Sequence, residues 1–116
     1  MALFDVGELP EAPLAAAALF HGEVLPRILV LQAPLHAGEE LVLLFAPADH
    51  THQGWRLAAV QSLARQFAPA RINAIASDDP AAIAAAQGYL ANAPGVTGQL
   101  LPLDSIGAEA VIGSAA

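Results

Sequence analysis

Residues 54–76 read GWRLAAVQSLARQFAPARINAIA, and this stretch decides the fold class. Trp55, Ala59, Leu63 and Phe67 recur at every fourth position with Val60 and Ala64 beside them, while Arg56, Gln61, Arg65 and Gln66 fall elsewhere on the wheel. A stripe of that period predicts an amphipathic helix. Pro69 has no amide hydrogen to donate and biases Ala68 away from helix, so the helix ends there. Ile72, Ala74 and Ala76 then alternate with Asn73 in a run of strand length. A helix that feeds a strand almost without a loop belongs to the alternating pattern that builds a parallel sheet.

The same alternation continues on both sides. Upstream, LVLLFA from Leu41 to Ala46 is a continuous apolar run between Glu39, Glu40 and Pro47, which predicts a central strand covered on both faces. Downstream, Ser77, Asp78 and Asp79 offer capping oxygens ahead of Pro80, and a helix with Ile83, Gln87, Leu90 and Ala91 on its inner stripe is predicted to about Ala93. PGVTG then makes a turn into a last short strand, Gln99 to Leu103. Nearer the start, Pro13–Gly22 predicts a helix that Gly22 stops or bends. A second helix is predicted over Glu23–Ala37, apolar around most of its circumference. Leu3, Phe4 and Val6 suit a brief strand ended by Gly7 and Pro10, with the rest of 1–12 and all of 106–116 irregular.

Composition bounds the function. A chain of 116 residues, 56% apolar, has room for one domain spanning 1–116 and ample material for its core. Four Lys and Arg against eleven Asp and Glu give a net charge of −7, which repels both a phosphate backbone and an anionic membrane surface. No nucleic-acid or membrane partner is therefore expected. There is no cysteine, Asp5, Glu8 and Glu11 interrupt any signal-peptide pattern, and the uncharged tract Pro80–Leu103 is too polar for a membrane span. The expected location is the cytoplasm.

Two stretches carry a family resemblance. SLARQFAPARINAIA, from Ser62 to Ala76, resembles the late helix and strand of short-chain dehydrogenases, and YLANAPGVTGQLLPLD, from Tyr89 to Asp104, resembles their closing helix, VTGQ turn and last strand. The wording is nearest the pteridine-reductase-like branch. The resemblance implies an α/β fold: a small three-layer, truncated Rossmann-like domain of three or four parallel strands with helices on both faces. It also implies what is lost. The glycine-rich turn that binds the NAD(P) pyrophosphate in that family has no counterpart in this sequence. The family's catalytic tyrosine and lysine, four residues apart, fall near Asp49 and Gln53, and the chain contains no lysine at all. The catalytic asparagine falls near Gly22, and the lid segment after the Arg71–Ala76 strand is absent from the sequence. No catalytic residue and no cofactor are expected, so an enzyme is not.

The reading that follows is a non-catalytic oligomerisation or partner-binding module. In the family two helices pair with their copies from another subunit, and here those are Glu23–Ala37 and His52–Phe67. The contact residues expected are Ile28, Leu29, Leu31, Trp55, Ala59, Val60 and Leu63, with a second copy or a full-length short-chain dehydrogenase as partner. The competing reading is an oxidoreductase-related or ligand-binding protein that uses the 49–54 loop. There Asp49, His50 and His52 place a carboxylate and two imidazoles together as weak candidates for a metal, at a spacing that suits no standard zinc motif.

Overall fold

A computed structural model describes residues 2–103. The expected irregular tail, 106–116, lies outside them. The chain runs β1 (Ala2–Asp5), α1 (Pro13–Leu19), a π-helical segment (Phe20–Val24), α2 (Leu25–Leu29), β2 (Glu40–Phe45), a 3₁₀ turn (His50–His52), α3 (Gln53–Phe67), β3 (Arg71–Ala76), α4 (Pro80–Ala91) and β4 (Leu100–Pro102). The four strands form one parallel sheet in the order β1-β2-β3-β4. This is the layered α/β fold with a parallel sheet that the alternating pattern predicts, and the Rossmann-like arrangement that the resemblance implies.

Strand pleat sorts the core into two layers. Leu41, Leu43 and Phe45 of β2 join Ile72, Ala74 and Ala76 of β3 on one face, beneath Phe20, Val24 and Ile28 and the α3 stripe Ala59, Val60, Leu63 and Phe67. Val42 and Ile75 point to the other face, where Ala82, Ala86 and Leu90 of α4 cover them together with Leu103. α1, α2 and α3 thus share one face and α4 takes the other. In a parallel sheet whose strand order follows the sequence, that change of face reverses the hand of the last crossover, against the usual right-handed preference. α4 begins as its sequence predicts: Asp79 is the N-cap, accepting from the Ala81 amide at 3.1 Å, with Pro80 in the first turn.

The first helical region departs from expectation. Gly22 does not stop it, because helix continues from Pro13 to Leu29 through one π turn in which the Leu25 amide donates to the Phe20 carbonyl. Pro26 supplies the reason. A proline inside an α-helix removes one hydrogen bond and its ring collides with the carbonyl four residues back, and a wider turn just upstream relieves both. The second helix also ends at Leu29 rather than Ala37. Leu31 and Leu35 still pack against the core, but from the turns that follow, which is why that stretch is apolar on all sides.

The two stretches that carry the family resemblance are bonded to one another. The Ile72 amide donates to Thr97 Oγ1 at 3.1 Å, the Gly98 amide to the Ile72 carbonyl at 2.7 Å, and the Gln99 amide to Asn73 Oδ1 at 3.0 Å. Asn73 Nδ2 donates in return to the Val96 carbonyl at 3.0 Å and to Glu40 Oε2 at 2.7 Å. Gly98 has φ +73°, which L side chains rarely adopt, so the turn needs glycine there. Asn73 and the VTGQ turn therefore set the register of β4 on β3.

Candidate functional site

β1 and β2 end side by side, and the chain leaves their carboxyl ends as two loops before the 3₁₀ turn opens α3. Between those loops lies a cavity of about 310 Å³, lined by Leu9, Glu11, Pro47, Asp49, His52 and Arg56. A second hollow of about 230 Å³ adjoins it, sharing Asp49, His52 and Arg56 and adding His50, Gln53 and Pro102. In open α/β sheets the carboxyl ends of the strands are where ligands bind.

His52 forms one wall and is only 5% exposed. Its Nδ1 accepts from Trp55 Nε1 at 3.2 Å, so Nε2 carries the proton and donates to the Glu11 carbonyl at 2.8 Å. Trp55 in turn packs on Phe20 and Phe45, with ring centroids 5.4 and 5.8 Å away. The ring of His52 thereby ties the Pro10–Glu11 loop to the start of α3.

Asp49 caps the 3₁₀ turn, its Oδ1 accepting from the Thr51 amide at 2.9 Å and from the Thr51 hydroxyl. The hydroxyl contact first, then the amide, then His52 and His50, hold its carboxyl below the ordinary aspartate value. A lowered folded-state pKa means that this cap is complete above the unfolded value and is lost as pH falls through the lowered one. Thr51→Val should raise the Asp49 pKa, read from the pH titration of its side-chain carbon by NMR; an unmoved midpoint would show that the hydroxyl contributes nothing.

Arg56 is the side chain that helical periodicity misplaces. It was expected off the apolar stripe, yet it is 5% exposed, with Nη1 donating to the Ala46 carbonyl at 2.9 Å and Cζ 4.6 Å from the centroid of the Phe45 ring. Burial works against its charge and lowers its pKa. The signal was present: counting back one turn from Val60 and Ala59 places residue 56 on the buried face.

A family model described as short chain dehydrogenase-like protein matches residues 4–103. The chain belongs to the short-chain dehydrogenase-like family. No curated protein and no solved structure gives a significant match.

Set against that family's chemistry, the positions that the resemblance assigns to the tyrosine and lysine, Asp49 and Gln53, both line the smaller hollow. A carboxylate and an amide stand there. Tyr89, the chain's one tyrosine, packs with the α4 layer near Leu90, whose carbonyl accepts from Arg71 Nη1 at the start of β3, at the opposite end of the strands. Of the weak metal candidates, His52 has both ring nitrogens engaged in hydrogen bonds. Among the described residues no three His, Cys, Asp or Glu side chains are grouped to hold an ion.

The expected contact residues divide. Ile28, Ala59, Val60 and Leu63 are buried inside this chain between the helices and the sheet, which corrects their assignment to a subunit contact. Leu29, Leu31 and Trp55 are only partly buried. Leu29 and Trp55 line an outward groove of about 350 Å³ between α2 and α3, together with His21, Leu25, Ala58 and Gln66. Among the described residues no helix is long and apolar enough to cross a membrane.

Proposed function

We propose that this short-chain dehydrogenase-like protein is a non-catalytic module that associates through the groove between α2 and α3. The observation that carries the reading is the groove itself: Leu25, Leu29 and Trp55 line a mainly apolar hollow on the outer side of the helix layer, with Val30 71% exposed just past the end of α2. A twofold axis through such a patch uses it twice, so a homodimer is the simplest assembly, with a full-length relative as the other partner. The want of enzyme chemistry supports the same reading, since Asp49 and Gln53 cannot replace a tyrosine activated by a lysine. The wording YLANAPGVTGQ supports a place in the pteridine-reductase-like branch, and the proposed module acts in the cytoplasm and uses no cofactor.

Size-exclusion chromatography with light scattering tests this. The wild type is expected to be a dimer or larger. Leu29→Glu should weaken association at least about thirtyfold, the equivalent of roughly 2 kcal/mol, with its circular dichroism unchanged. Ala84→Glu, on the exposed side of α4 and across the sheet from the groove, should leave it intact. A monodisperse wild-type monomer at high concentration would overturn the proposal.

A further inference from the structure

We infer that His52 is a pH-operated switch on the groove between α2 and α3: its neutral ring holds the indole of Trp55 in the groove wall, and its protonation frees the indole and weakens association. This rests on the groove reading above and adds its regulation. A neutral imidazole offers one donor and one acceptor, and His52 uses both, with Nε2–H donating to the Glu11 carbonyl at 2.8 Å and Nδ1 accepting from Trp55 Nε1–H at 3.2 Å. An imidazolium has two donors and no acceptor. Protonation therefore keeps the Glu11 bond and strengthens it by charge, whereas at Trp55 two N–H groups come to face each other. The indole has to leave.

What it leaves is the groove wall. Trp55 lines the groove with Leu25, Leu29 and Leu63, resting on the rings of Phe20 and Phe45, and its side chain has a single donor, which the His52 bond occupies. His52 itself takes no part in the lining. Its effect on a partner passes through Trp55 alone. Only the neutral ring keeps the wall in place, so association and protonation of His52 oppose one another, and a fall in pH weakens association.

The charged groups that face His52 come from three places: Glu11 from the loop before α1, Asp49 and His50 from its own turn, and Arg56 from the next turn of α3. The two carboxylates favour the imidazolium, and Arg56 and a charged His50 oppose it. Carboxyl groups ordinarily titrate lower, so from about pH 8 to about pH 5 the change of charge belongs to the imidazoles. His21 lines the groove beside Trp55, but it donates Nδ1–H to the Ala17 carbonyl at 2.8 Å and takes a proton on its other nitrogen without breaking that bond. His52 is the imidazole whose protonation breaks a bond to the groove wall.

The test uses the full chain, whose single tryptophan gives one indole N–H signal. In an NMR titration from about pH 8 to about pH 5 that signal should move with the same midpoint as the His52 ring. Association, read by sedimentation over the same range, should weaken at least about tenfold with far-UV circular dichroism unchanged. His52→Gln should remove this pH dependence and His21→Gln should keep it. The wild-type titration stands even if His52→Gln fails to fold. In a protein that associates at the upper pH, an indole signal that ignores the His52 titration, equal association at both ends of the range, a folded His52→Gln that keeps the dependence or a folded His21→Gln that loses it would each overturn this inference alone. A monomer at every pH would overturn the groove reading, and the switch with it.

Discussion

Val60→Glu is expected to abolish the cooperative fold rather than to release a monomer. Val60 is fully buried in the layer between α3 and the sheet, among Phe20, Leu43 and Ile72. A carboxylate there leaves water for a layer of apolar side chains. The cost, several kcal/mol, is comparable with the whole stability of a small domain, roughly 5–15 kcal/mol. Val60→Ala should by contrast cost only about 2 kcal/mol, a fall in Tm of about 10 °C. Far-UV circular dichroism with thermal melting separates the cases, and a Val60→Glu protein that melts near the wild-type temperature would place Val60 at a surface after all.

Asn73→Ala is expected to cost about 3 kcal/mol and lower Tm by about 10–20 °C. The figure follows from what the side chain satisfies. Removing it strands the Gln99 amide and the Val96 carbonyl and leaves Glu40 Oε2 with Arg71 alone, 3.7 Å away, while the other Glu40 oxygen already has no partner. Asn73→Asp should be at least as harmful, because it keeps the Gln99 contact but sets a second carboxylate beside Glu40. A fall of only a degree or two would mean that β4 holds its register without Asn73, and hydrogen exchange at the Gln99 amide would show the same.

The lengths of β2, α3, β3 and α4 were legible in the sequence to within two residues, because in each a proline, a carboxylate or an apolar run marks the boundary. The first helical region was not. Gly22 and Pro26 are both helix breakers by propensity, yet the π turn absorbs them, and propensity is a weak guide where tertiary contacts hold a helix down. The candidate site was half legible. The loop after β2 was singled out, but His52 was read as a loop residue because its partner, the Glu11 carbonyl, is a backbone atom that leaves no trace in residue type, and Arg56 was set off the stripe although its spacing from Val60 places it on the buried face. The contact residues failed for a related reason. Periodicity shows that one face of α3 is apolar, but not whether this chain's own sheet or a partner covers it.

The order β1-β2-β3-β4 bears on how the chain comes into being. Each strand after β1 pairs with the one made just before it, so on leaving the ribosome it finds its neighbour already synthesised. The growing sheet always offers one finished edge to the next arrival. The three residues of β4 find a latch, the Asn73 carboxamide, already in place on β3.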